Sequence, residues 1–207
     1  MKVTIEHATA QAMAKALLAA VSKDKNRRHL QGVHVQPTED GATLQATDGY
    51  RLHRVAVSMG GDVSADTTGH LLGGRELCKA LSDAGKAAKK DGGPVSVIVA
   101  DSCAQVTGGG FTVTVPVIVA EFPDTASLFD GSDDMETGAA FNGDYMGDAF
   151  QAAQLIAELG LAGWQDSHGV TVQTMRVRKC ARVTSRSGDK VPAVTFDALI
   201  MPQRVKG

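Results

Sequence analysis

Apolar and polar residues alternate in short runs along most of this chain, and three longer stretches break the alternation with a helical period. Alternation with a period of two marks half-buried strands; apolar residues at i, i+3, i+4 and i+7 mark an amphipathic helix. A first unit runs from about Lys2 to Met59. It predicts a strand over Val3–His7 and a helix over Thr9–Val21, with Thr9 as N-cap and Met13, Leu17 and Leu18 on one face. Strands follow at Gln31–Gln36, Ala42–Thr47 and Tyr50–Val57. Asp48-Gly49, between the last two, reads as a two-residue hairpin turn.

A second unit, from about Gly69 to Phe122, has the same order. It predicts a strand at His70–Leu72, a helix over Gly74–Ala88 with Leu77, Cys78, Leu81 and Ala84 on one face, then strands at Val95–Ala100, Ala104–Thr107 and Phe111–Ala120. A third, from about Thr137 to Val205, predicts a strand at Ala139–Phe141, a helix over Tyr145–Leu159, and strands at Val170–Thr174, Cys180–Ser185 and Ala193–Met201. One strand-helix-strand-strand-strand pattern thus recurs at a period of about 65 residues, which points to a repeat architecture of α+β class. The identity between units is poor; the match is in pattern. Gly60–Thr68 and Asp124–Glu136, rich in Gly, Asp, Ser and Thr, read as linkers.

Composition narrows the function. The chain has 207 residues, 43% of them hydrophobic, and a formal net charge of −2. That is enough apolar residue for one good core or two small ones. A protein gripping nucleic acid through many phosphates carries a basic balance, so any such contact here is local or loose. No run of about 18 apolar residues predicts a membrane span, and the N-terminus lacks the apolar stretch of a signal peptide, so a cytoplasmic protein is the expectation. Cys78, Cys103 and Cys180 are far apart and odd in number, and read as reduced.

Catalytic and metal readings find little support. Gly108-Gly109-Gly110 lacks the Lys-Ser/Thr of a phosphate loop and reads as a hairpin turn. His7, His29, His34, His53, His70 and His168 show no metal-ligand spacing, and no Ser and His are arranged as a triad. Asp133, Asp134 and Glu136 form an acidic loop. The expectation is a binding protein, with no enzyme activity, metal or cofactor.

Four short motifs resemble one family, in the right order. Arg27–Val33 (RRHLQGV) followed by Ala46–Leu52 (ATDGYRL) resembles the middle domain of the bacterial DNA polymerase III beta subunit, the sliding clamp. Glu121–Asp124 (EFPD) resembles the close of that domain. Ala139–Met146 (AAFNGDYM) and Ala198–Val205 (ALIMPQRV) resemble the start and end of the family's last half-domain. The resemblance implies a DNA-clamp fold, with helices lining a ring and antiparallel sheets outside. It implies a complete clamp domain over residues 1–125, built from half-domains at about 1–60 and 69–125, and a further half-domain over 137–207. Family members have about three domains, so the chain is similar to a shortened clamp of phage type.

The same resemblance implies a groove for partner peptides formed by Leu30, Thr47, Gly49, Tyr50, Arg51, Leu52, Pro123, Leu128, Leu199, Met201, Pro202 and Gln203. Leu, Met and Pro suit the walls of such a groove, and Arg can pair with a peptide carboxylate or carbonyl. Taken singly, Leu30, Leu52, Leu199 and Met201 are also good core residues. Arg75, Lys79, Lys86 and Lys90, spaced i, i+4, i+11 and i+15, form a basic stripe on the second helix, joined by Lys15 and by Arg27 in the cluster Lys23, Lys25, Arg27, Arg28. On its own such a stripe is an ordinary solvated face; with the resemblance it faces DNA in a ring lumen. Asp144, Asp148 and Glu158 make the third helix acidic. The implied partners are double-stranded DNA, a DNA polymerase and a clamp loader, the last two through short peptides. Three half-units leave one without a mate, so a head-to-tail closed ring is expected, with four copies favoured because family rings hold about twelve half-units. The alternative is a non-encircling adaptor or decoy that binds clamp-interacting peptides.

Overall fold

A computed structural model of the chain describes residues 2–58, 69–100, 102–129, 141–159, 170–174, 180–188 and 192–202. The first unit comprises strand β1 (Lys2–Ile5), helix α1 (His7–Leu18) and strands β2 (Gly32–Thr38), β3 (Gly41–Thr47) and β4 (Arg51–Ser58). The second comprises β5 (His70–Gly73), α2 (Gly74–Asp91), β6 (Val95–Val99), β7 (Cys103–Gly108) and β8 (Phe111–Pro116). A short helix α3 (Ala126–Phe129) leads to the third, made of α4 (Gly143–Ala157), β9 (Thr171–Thr174), β10 (Ala181–Arg186) and β11 (Val194–Ile200).

These strands form two antiparallel sheets, ordered β1-β6-β7-β8 and β5-β2-β3-β4-β11-β10-β9. The first two units exchange their opening strands: β1 lies beside β6 of unit two, and β5 lies beside β2 of unit one. Unit three joins the long sheet through β11 on β4, with Leu199 opposite Leu52 and Phe196 opposite Val55. The helices cover one face, α1 packing against both α2 and α4. One continuous core, including Met13, Leu17, Leu72, Leu77, Leu81, Ile156 and Phe196, runs through all three units. The architecture is α+β with antiparallel sheets, as the repeat predicts.

Several sequence expectations are corrected. Helix α1 starts at His7, with Glu6 at the N-cap and no side-chain cap; Thr9 is buried inside it. Strand β1 turns directly into the helix and leaves no room for a capping loop. Leu18 is 45% exposed, because Ala and Met residues of α1 fill the face against the sheet. Asp48-Gly49 is not a two-residue turn: Thr47 pairs with Leu52, so four residues intervene. Side chains hold that longer turn. Asp48 Oδ1 accepts from the backbone N–H of Tyr50 (3.0 Å) and Arg51 (3.1 Å), and Thr47 Oγ1 accepts from Gly49 N–H (3.1 Å). Gly49 sits at φ 92°, a region that favours glycine. The Gly-rich hairpin is as expected, with Gly108 paired to Phe111 across Gly109 and Gly110. β8 stops at Pro116 rather than Ala120, and the predicted linker after Asp124 begins with α3. The Gly60–Thr68 linker lies outside the described residues. Of the predicted strand Ala139–Phe141, only Phe141 is described, in a single bridge to Pro202.

Candidate functional site

The register across β3, β4, β11 and β10 decides which residues face away from the helices. His53 points inward, its Nδ1 2.6 Å from the Ala16 carbonyl of α1. Its neighbour Leu52 therefore points outward, because successive strand residues face opposite ways. Two outward rows cross the sheet: Thr47, Leu52, Leu199 and Arg182, then Gln45, Arg54, Asp197 and Thr184.

On the first row, Leu52 and Leu199 join Cys180, Leu128 and Phe129 in an apolar cluster separate from the main core. Above it opens a cavity of about 530 Å³ lined by His29, Leu30, Thr47, Gly49, Arg51, Leu52, Pro123, Asp124, Thr125, Leu128, Cys180, Leu199 and Met201. Its size falls in the roughly 300–1,000 Å³ range of sites that bind small ligands or side-chain anchors. Apart from Pro123, Leu128 and Met201, its leucine walls are well buried: Leu30, Leu52 and Leu199 are each 3–4% exposed. Met201, at 44%, forms a movable lip held at its backbone, where its N–H donates to the Tyr50 carbonyl (2.9 Å).

The second row fixes the far wall. Asp197 accepts from Arg54 Nη2 (2.9 Å) and from Arg182 Nε (3.0 Å) and Nη2 (2.9 Å), tying β4, β11 and β10 together. The Arg54 guanidinium lies 3.5 Å over the Phe129 ring. Thr125 Oγ1 donates to Gln45 Oε1. These contacts seat α3 on the sheet, and α3 carries Leu128 to the cavity.

Nine of the twelve groove residues expected from sequence thus line one cavity, drawn from four separate stretches. Tyr50 is 57% exposed beside it, Pro202 is bridged to Phe141 nearby, and Gln203 lies outside the described residues. Arg51 lines the cavity and is also held within the chain. Its Nε bonds Asp48 Oδ2 (3.0 Å), its Nη1 bonds Asp148 Oδ2, and its guanidinium stacks 4.3 Å over the Tyr145 ring. Arg51 therefore clamps β4 to α4. Sequence reasoning missed His29, Asp124, Thr125 and Cys180. Asp124 closes the Glu121–Asp124 motif and Thr125 directly follows it, which was the available signal. Cys180 carried none: its role comes from a register that no local pattern reveals.

The basic residues lie elsewhere. Arg75, Lys79, Lys86, Lys90 and Lys15 are all exposed on helices α2 and α1, on the sheet face opposite the cavity. The stripe on α2 is not purely positive. Lys79 Nζ bonds Asp83 (2.6 Å) and Lys86 Nζ lies 3.5 Å from the same carboxylate. The Lys79 hydrogen bond holds the Asp83 carboxyl below its usual range. Arg27 departs from the stripe: its guanidinium lies beside Gly49 at the cavity rim and pairs with Asp24 at 3.5 Å.

No disulfide joins the three cysteines, and burial pushes the Cys78 thiol up to about 12. Among the described residues there is no cluster able to hold a metal ion and no helix long and apolar enough to cross a membrane.

The family profile described as DNA polymerase III beta subunit, central domain, matches residues 4–124. No curated protein matches the sequence. Among solved structures, the chain is similar to the DNA polymerase III subunit beta of Pseudomonas aeruginosa (TM-score 0.62, 15% identity, 99% of this chain and 66% of that one). It is similar to the subunit of Borrelia burgdorferi, solved in complex with a natural product (0.64, 12%, 100% and 63%), and to the DNA polymerase sliding clamp of Bacillus subtilis (0.56, 17%, 100% and 50%). The chain spans half to two thirds of the length of these proteins, and at such identities the likeness is one of fold.

Proposed function

The chain belongs to the family of the DNA polymerase III beta subunit, by the match of its central domain over residues 4–124, and on that footing we propose that it is a DNA sliding clamp. In this reading several copies close into a ring around duplex DNA, the helices face the DNA, and the outer cavity holds short peptides of a polymerase and a clamp loader. Four copies give about twelve half-units. The protein is then a processivity factor and not an enzyme. It works by topology: the ring keeps a tethered polymerase on its template without gripping phosphates, which accords with the net charge of −2.

The observation that carries the reading is the cavity at the β4–β11 junction. Two of the apolar motifs that resemble the family, around Leu52 and around Leu199, meet there across one strand pair. A core row would have been covered; this one is open to a ligand. The basic stripe on the opposite face supports the separation of DNA contact from peptide contact.

Two measurements test it. A peptide with Gln followed by an aliphatic and aromatic pair binds at micromolar strength, about −8 kcal/mol, by titration calorimetry. Protein loaded by its cognate loader onto nicked circular DNA is retained on gel filtration and is lost when the circle is linearised. Peptide binding without topological retention would leave a non-encircling adaptor or decoy; absence of both would remove the clamp reading.

A further inference from the structure

Units one and two of this chain cover each other reciprocally. Each lends its first strand to the other's sheet, and α1 packs against α2 closely enough that a Cβ on Gly85 would lie 2.8 Å from both Gln11 Cγ and the His7 carbonyl. The covered surface is the inward side of each unit's second strand. On β2, Val33 and Val35 are 0% and 1% exposed; on β6, Val95 and Val97 are 0% and 4% exposed.

Among the described residues, unit three has the same surface without the cover. Its second strand, β9, ends the long sheet. Val172 on β9 pairs with the fully buried Val183 of β10, so it points to the helix side, yet it is 41% exposed. Helix α4 has α1 on one flank. Asp148 marks the flank toward unit one through Arg51. Phe150, two positions on, is turned by about 200° to the opposite flank and is 41% exposed. Half-buried Met146 lies one turn before it, on the same side. An exposed Phe on α4 and an exposed Val on β9, both on the helix side of unit three, are apolar surface that soluble folds cover.

We propose that a second copy of this chain docks on this flank, α4 against α4, about a two-fold axis. The occupant follows from how the first two units are built. What covers each of them is another unit of the same kind, and the cover is mutual. A unit that both needs and supplies the same surface is satisfied by its own copy, which is an isologous contact. The contact is two-fold, in place of the head-to-tail one that counting repeats suggests. A four-copy ring built on it alternates this contact with a second, different one. The inference stands on the geometry of unit three and does not require the peptide cavity to work.

Light scattering on the full chain, across a wide concentration range, tests it. The expected mass is an even multiple of 21.5 kDa. Phe150→Glu halves that mass with an unchanged circular dichroism spectrum and melting midpoint; Val172→Lys does the same from the strand side and serves if Phe150→Glu fails to fold. Peptide titration on the half-mass species is unchanged, which separates loss of self-pairing from loss of the cavity. A monomeric wild type, an odd-numbered assembly, or a mass indifferent to both substitutions overturns the proposal.

Discussion

Leu52 and His53 are chain neighbours on β4 that serve opposite faces of one sheet, and each supports a distinct prediction. Leu52→Ala removes the cavity floor, and Met201→Ala removes its lip. Each weakens peptide binding by about 1–3 kcal/mol in a calorimetric titration, because buried anchor contacts are lost. Unchanged affinity in both folded variants would refute the cavity as the peptide site. Met201→Ala leaves the melting midpoint almost unmoved, since that side chain is 44% exposed. His53 is fully buried, and burial pulls its pKa from 6.5 to about 4. Its Nδ1–H donates to the Ala16 carbonyl, and its ring meets Phe196 edge-on at 5.2 Å. The folded pKa is depressed, so the unfolded chain takes up a proton first. Stability is full above about pH 6.5 and falls as pH drops toward 4, by on the order of 3 kcal/mol. His34, lowered by burial and then by His70, acts in the same direction. Urea midpoints between pH 7.5 and 4.5 measure the slope; His53→Leu flattens it, and an equal slope in the variant would exonerate His53.

Helix α2 shows what the sequence could disclose. Its apolar face, Leu77, Cys78, Leu81, Ala84 and Ala88, is buried as the period predicts. Its cations are exposed as the same period requires. Replacing Lys79, Lys86 and Lys90 by Glu is expected to reduce clamp-stimulated synthesis while moving stability by less than about 0.5 kcal/mol per site, the usual range for solvated positions. Loss of folding would contradict a solvated stripe. Asp83→Asn raises the local positive potential by freeing Lys79 and Lys86, and so strengthens any DNA affinity at low salt; weaker binding would argue against DNA contact there. The units were legible because burial on one face imposes a period that survives when identity between repeats does not. The four-residue turn at Asp48–Arg51 was not: a Gly-containing pair looks the same whether two or four residues intervene, and the Asp48 and Thr47 side-chain bonds that lengthen it leave no pattern. Helix α3 was hidden for a related reason. Four residues hold no period, and α3 stays in place through Phe129 under Arg54 and through Thr125 on Gln45, contacts distant in sequence.

At the scale of the whole molecule, the third unit is continuous with the first two. The long sheet passes from β4 to β11 through seven registered pairs, and the main core draws on both sheets and on α1, α2 and α4. Where units are joined only by a linker, each can open alone; where one core crosses the junction, opening either unit exposes apolar surface of both. The charged contacts add to this. Asp197 on β11 accepts from Arg54 of unit one and from Arg182 of its own unit, and Arg51 bridges from β4 to Asp148 on α4. The chain is therefore expected to unfold in one transition. Hydrogen exchange resolved by mass spectrometry, taken through a urea series, shows β3 and β10 amides losing protection together. Asp197→Ala leaves two guanidinium groups without their shared carboxylate, lowers the common midpoint by about 1–3 kcal/mol of stability, and loosens α3 so that peptide affinity falls with it. Loss of β10 protection well before β3 would show that unit three opens alone, and would make the β4–β11 pairing a docking contact rather than part of one fold.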